Sequence, residues 1–432
     1  MIYEVLQTFH AVGNGTLFTG QMWERNSPTY FNWVYDCGST SEKKILSEVN
    51  NLTVWFGRHY SKIDMLVISH FDDDHVNGLE LLLTNHYVKR LLLPYTEWAQ
   101  SIREISVLGQ KGVSPSVALF QLNPARWFEV KNLVDRVGEI VLVQGKGGPD
   151  NSSQEPEDIS PDGPPSEIGI DEERSSSPNE DPIFFFDTDA ADSAFMELGS
   201  PMKQSGINVA KITQNQPLYN PLKTYEFIFY NAEKSFKGLG LVDEICGQFY
   251  AKKSRCLMST VKADIESVIV SLGLDRGISS LPLNWRKQLK ACYEKHFGHS
   301  AKAKNNISLC MYAGPLSSRW HSKNIHLWRI DRPSMLLTGD INLTREVIRD
   351  MNRHFGAARW NMLGVIQVPH HGSKSCWPKG NASLFIPALF VQCASGTIHH
   401  PHPLVINDLK CPGSFTVNAD RKNSVNIHYC YF

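Results

Sequence analysis

The stretch Leu66-Val67-Ile68-Ser69-His70-Phe71-Asp72-Asp73-Asp74-His75-Val76-Asn77-Gly78 starts as an apolar run suited to a buried strand and ends in metal-ligand chemistry. Four potential ligands, His70, Asp72, Asp74 and His75, fall within six residues. On a tight loop alternate side chains point one way, so His70 and Asp72 can share one cation. Asp74 and His75 then face a second. Carboxylates and imidazoles crowded without a basic neighbour need positive charge to bind.

Around this loop the first 145 residues read as an α/β unit. Apolar periodicity predicts strands at 2–9, 15–20 and 30–35, a helix over 42–56 and a strand at 64–69. It then predicts a helix over 76–85, a strand at 88–93, a helix over 126–137 and a strand at 139–143. Residues 146–182 are rich in Ser, Pro, Gly and acid, and cannot bury enough apolar surface to offset ordering, so a disordered acidic loop is expected. Strands are expected at 183–186 and 225–230. Over 239–304 the period turns helical, broken at Pro282, with 11 Lys or Arg against 6 acids. This helical insertion is a candidate surface for substrate or for a protein partner. Further strands are predicted at 307–312, 325–330, 335–339, 363–368 and 388–393, with a helix over 343–355.

The net charge of -1 hides an asymmetry. Between Asp150 and Asp181 lie 11 acidic residues and one basic residue, Arg174, so the rest carries 42 basic against 33 acidic side chains. A modestly basic body suits an anionic substrate, including a nucleic acid or nucleotide. Met1-Ile2-Tyr3-Glu4-Val5 has neither the basic start nor the apolar core of an export signal. No run approaches about 18 apolar residues, so no membrane span is expected. Nine scattered cysteines without a CxxC pair read as reduced thiols of a cytoplasmic protein.

If the loop at His70 holds metal, other strand ends must complete its shell. Leu336-Leu337-Thr338-Gly339-Asp340 is an apolar strand ending in a turn glycine and a carboxylate able to bridge two cations. Val368-Pro369-His370-His371-Gly372-Ser373-Lys374 ends in two imidazoles, a hydroxyl and a cation. Ala394-Ser395-Gly396-Thr397-Ile398-His399-His400-Pro401-His402-Pro403 follows another strand.

Together with Val12-Gly13-Asn14-Gly15, Asp36-Cys37-Gly38-Ser39 and Asn305-Asn306-Ile307-Ser308-Leu309, these motifs resemble the metallo-β-lactamase superfamily. More narrowly, they resemble the hydrolase domain of ComEC-type competence proteins, without its membrane channel. The motifs occur in the family's order across 1–145 and 305–410. The resemblance implies a four-layer αββα sandwich, interrupted here by the acidic loop and the helical insertion. It departs from the commonest loop, H-x-H-x-D-H, because Asp72 replaces the second histidine. That exchange hardens the site toward manganese or magnesium, with zinc still admissible. His86 reads as a packing residue, and His296 and His299 as parts of the insertion.

The expected chemistry is a water bridging two divalent ions about 3.5–4 Å apart, ionised near neutral pH as the nucleophile. His70 and Asp72 would hold one ion, and Asp74, His75 and His400 the other, with Asp340 bridging. His370 is the next ligand or a substrate contact, while His371, Ser373 and Lys374 would flank the leaving group. The expected function is a zinc- or manganese-dependent phosphodiesterase or nuclease. Hydrolysis of a small-molecule ester, thioester or lactone, or a non-catalytic partner-binding role, are the alternatives.

Overall fold

The computed structural model describes residues 1–27, 30–55, 62–95, 115–122, 124–145, 207–220, 223–231, 308–317, 319–323, 332–396 and 400–432. It also describes single turns of the 239–304 region, where residues 264, 267–268, 270–272, 285, 287–288, 291–292 and 295 are helical. The acidic loop, the expected strands at 183–186 and 325–330, and His296 and His299 lie outside the described residues.

The chain opens with strands β1 (Tyr3–Phe9), β2 (Leu17–Glu24) and β3 (Tyr30–Cys37), then helix α1 (Glu42–Trp55) and strand β4 (Lys62–Val67). Helices α2 (Asp73–Val76) and α3 (Leu79–Asn85) precede β5 (Tyr87–Pro94), and α4 (Pro115–Leu122) and α5 (Pro124–Val130) precede β6 (Val137–Gln144). Next come β7 (Asn208–Thr213), β8 (Leu218–Tyr219), β9 (Tyr225–Asn231), β10 (Leu309–Pro315), β11 (Trp320–Ser322) and β12 (Ser334–Leu337). The last third holds α6 (Arg345–Phe355), α7 (Ala357–Met362), β13 (Leu363–Gln367), β14 (Ala388–Cys393), α8 (Pro403–Asp408), β15 (Ser414–Ala419) and β16 (Val425–Tyr431). Among the described residues no helix is long and apolar enough to cross a membrane.

These strands make two mixed sheets, ordered β11-β16-β1-β2-β3-β4-β5-β6-β7 and β15-β14-β13-β12-β10-β9-β8. The protein is therefore α/β, with β3 to β7 parallel in the first sheet and β12 to β15 parallel in the second. Alternation sorts the side chains into cores. In β14, Leu389, Val391 and Cys393 join a cluster shared with Phe31, Trp33 and Tyr35 of β3, whereas Ala388 and Phe390 join one with α6 residues Ile348 and Met351. A third cluster sets the remaining face of the first sheet against Ile45 of α1, Leu82 of α3 and Phe120 of α4, and includes Leu272 and Trp285. Strands buried on both faces explain the continuous apolar runs.

Two expected helices are shorter than predicted. The helix over 126–137 ends at Val130, because Asn132 adopts a φ of 55° and closes the helix in a left-handed turn. The helix over 76–85 splits at Asn77-Gly78. Asn77 spends its amide on the Ser39 backbone, and a Cβ on Gly78 would meet Ile45 Cγ1 at 2.5 Å.

Glu226 of β9 and Arg359 of α7 form a buried two-pronged ion pair at 2.8 and 3.2 Å. Arg359→Met strands the buried carboxylate and should cost about 3–5 kcal/mol in urea unfolding. Pairing it with Glu226→Leu should recover most of that loss. A single-variant cost below about 1 kcal/mol would contradict the assignment.

Candidate metal centre

Parallel strands end on the same edge, so the C-terminal ends of β3, β4, β12, β13 and β14 deliver their loops to one place. Asp36 closes β3, His70 follows β4, Asp340 follows β12, His370 and His371 follow β13, and Cys393 closes β14. Two turns need their glycine. A Cβ on Gly339, with φ of +54°, would lie 2.7 Å from Ser69 Cβ and Ser308 Oγ. A Cβ on Gly38 would lie 2.4 Å from the Asp74 and His75 backbone. Gln367 ties the turns together: its Oε1 accepts from Thr338 N at 2.9 Å, and its Nε2 donates to Thr16 Oγ1 at 3.1 Å.

The resulting cluster alternates imidazole and carboxylate. Asp340 is central and buried. Its Oδ1 lies 3.2 Å from His75 Nε2, and its Oδ2 lies 3.7 Å from His70 Nε2 and 3.3 Å from His370 Nδ1. Asp72 Oδ2 lies 3.7 Å from His70 Nε2, and Asp74 Oδ2 lies 3.1 Å from His371 Nε2. Two sets could each hold an ion: His70, His75 and Asp340, and Asp74, His75 and His371.

Hydrogen bonds fix which imidazole nitrogens are available. His75 Nδ1 donates to Asp36 Oδ2 at 2.7 Å, since a carboxylate only accepts. His371 Nδ1 likewise donates to the Cys393 carbonyl at 2.8 Å. Ser69 Oγ gives its proton to Asp36 Oδ2 at 2.6 Å, so it accepts from His70 Nδ1 at 2.9 Å. Each neutral ring therefore turns a bare Nε2 lone pair toward carboxylate oxygens. His70 Nε2, His75 Nε2 and Asp340 Oδ1 are buried without a hydrogen bond. Lone pairs facing lone pairs in a dry site require a cation, either a proton or a metal ion. A divalent ion fits this donor set.

Protonation equilibria carry the same strain. Burial, together with the neighbouring His75, lowers His70 to about 4. Burial also opposes charge on His75, yet Asp340 and Asp36 raise it well above the ordinary imidazole range. His371 is raised despite burial by its hydrogen bond to Asp74 and by the charge of Asp340. Burial and the carboxylates of Asp74 and Asp340 push Asp72 up to about 7. Asp74, although buried, is held at about 2 by His371 and His75. Asp340 stays well below the carboxylate range because His75, His370 and His70 outweigh burial.

The expected residues are thus placed unequally. His70, Asp72, Asp74, His75, Asp340, His370 and His371 converge. It is His371 that reaches Asp74, while His400, expected beside Asp74 and His75, stacks on His370 with centroids 5.6 Å apart. Ser373 Oγ bonds Ser375 Oγ at 2.8 Å, and Lys374 is exposed on the same turn. Asp36 is not among the residues expected at the site; its place at the end of an apolar strand, before Gly38, is the sequence signal for its role.

Asp36→Asn should weaken divalent-ion binding by about 10- to 100-fold in calorimetric titration, because His75 loses its orienting carboxylate. Unchanged affinity would exclude that role. Raised histidines stabilise the metal-free fold fully below about pH 6.5 and lose that contribution as pH rises through their folded values. The chelated protein should therefore melt at lower temperature from neutral toward alkaline pH. Metal uptake, which displaces those protons, should tighten over the same range. A chelated melting temperature that rises with pH would refute the assignment.

A scan of protein-family models finds none that matches this chain. No curated protein sequence matches it either.

Proposed function

We propose that the chain is a metal-dependent phosphodiesterase or nuclease built on a four-layer αββα sandwich of the metallo-β-lactamase kind. The layering is supported by the three cores: a shared core between the sheets, and one between each sheet and its helices. The chemistry rests on one observation: three imidazoles with committed Nδ1 atoms aim bare Nε2 atoms at three carboxylates.

One ion would be held by His70, Asp72, His370 and Asp340, and the second by Asp74, His75, His371 and Asp340. Such ions supply Lewis acidity and make water acidic enough to ionise near neutral pH. The protein supplies orientation. Asp36 and Ser69 hold the rings of His75 and His70, and the Cys393 carbonyl holds His371. Among the described residues substrate would meet Asp72 and His370, 34% exposed, and Asp74, 23% exposed, against 6% or less for the other donors. The hard, carboxylate-rich donor set and the basic body favour a phosphoryl oxygen over a neutral carbonyl. The cytoplasmic assignment is part of the same proposal.

Turnover of bis-p-nitrophenyl phosphate with manganese or zinc tests the reaction class. Asp340→Ala should abolish both metal occupancy and turnover, and near-normal turnover by that variant would sink the scheme. Cleavage of lactones or thioesters without phosphodiester turnover would transfer the site to carboxyl-ester chemistry.

A further inference from the structure

A basic side chain lies against the loop at Gly13 without an ion pair to any described acid. Arg421 sits in the turn between β15 and β16 and is exposed. Its stem lies across the loop at Gly13. A Cβ built on Gly13, whose φ is +85°, would come within 2.8 Å of Arg421 Cγ, 3.4 Å of Arg421 Nε and 3.4 Å of Ser395 Cβ. Glycine at this position is what allows the arginine to lie there.

Gly13 and its neighbour Ser395 are both tied to residues of the cluster. Ser395 is two residues beyond Cys393, whose carbonyl orients His371, a span of at most about 7 Å along the chain. Asn14, next to Gly13, accepts from Ser395 N at 2.8 Å and Ser395 Oγ at 3.1 Å. Two residues further, Thr16 N donates to the Asp74 carbonyl at 3.4 Å. The turn itself is hydrogen-bonded. Asp420 Oδ1 accepts from Lys422 N at 2.7 Å and Asn423 N at 2.8 Å, so the nearest carboxylate in sequence is spent on its own backbone. Arg421 makes no ion pair among the described residues.

We propose that Arg421, lying across Gly13, reaches the rim of the centre and binds a phosphate flanking the scissile one. This inference rests on the phosphodiesterase reading and narrows it to a substrate that is a chain of phosphodiesters, as in single-stranded nucleic acid. A planar guanidinium suits a phosphate by two parallel hydrogen bonds.

The test uses the full chain with manganese and a phosphorothioate oligothymidylate, which resists turnover, read by fluorescence anisotropy across a salt series. Arg421→Ala should weaken binding about tenfold and lower the slope of log affinity against log salt by about one. Arg421→Lys should restore the slope. Unchanged affinity and slope in Arg421→Ala would overturn the assignment. In turnover, the loss of kcat/KM on oligothymidylate or oligouridylate should exceed the loss on bis-p-nitrophenyl phosphate, which has no flanking phosphate, by about tenfold. Equal losses would also overturn it. Wild-type protein that hydrolyses none of these substrates would remove the phosphodiesterase reading, while the anisotropy arm still decides the role of Arg421.

Discussion

The centre depends on where three imidazole protons go. His70, His75 and His371 each give the Nδ1 proton to a fixed acceptor: Ser69 Oγ, the Asp36 carboxylate and the Cys393 carbonyl. The opposite tautomers would leave those acceptors unmatched in a buried site, so the protein sets the tautomer before any ion arrives. With the tautomers fixed, the inward nitrogens can only accept. They face carboxylates that can also only accept, and the cluster is stable only around positive charge.

Asp36 carries more of this arrangement than any ligand does. One carboxylate, fully buried, takes Ser69 N, Ser69 Oγ and His75 Nδ1. It thereby orients both rings of the loop, directly for His75 and through Ser69 for His70. Asp36 adopts a φ of 56°, and His370 and His371 adopt 48° and 53°. Non-glycine residues held there cost of order 1–3 kcal/mol each and persist only where surrounding packing imposes them. The two consecutive left-handed residues set their rings nearly perpendicular, at 79°. One ring then faces Asp340 and its neighbour faces Asp74. An extended backbone would send those side chains to opposite faces of the chain.

This explains which parts of the protein could be read from sequence. The strands before His70, Asp340 and His370 were legible because burial on both faces leaves continuous apolar runs. The convergence of acids and imidazoles was legible because such residues crowded at strand ends are costly without positive charge. Strands β15 and β16 were not. Ser414–Ala419 alternates polar and apolar residues weakly at a sheet edge, and Val425–Tyr431 acquires its place by pairing with β1 at the far end of the chain. That His371 lies against Asp74 was also illegible, because it turns on two backbone dihedrals and on a carbonyl 22 residues downstream. The seat of Arg421 is likewise a contact between distant loops.

The two halves of the cluster are not equivalent, and Asp72 is where they differ. His75, His371 and the Oδ1 side of Asp340 are enclosed, with only Asp74 reaching partly to solvent. The Oδ2 side gathers His70 with Asp72 and His370, both a third exposed. An ion held on the enclosed side would be shielded from water. An ion held on the Oδ2 side would share its surroundings with solvent and with any incoming oxygen. Asp72 is also the carboxylate closest to taking up a proton near neutral pH, since burial and the charges of Asp74 and Asp340 outweigh the pull of His75 and His370. A histidine in its place would relieve that repulsion but offer a softer, neutral donor. The sequence instead keeps a third carboxylate in a cluster already rich in negative charge. That choice makes sense where the open position must hold a hard divalent ion while a negatively charged substrate approaches it.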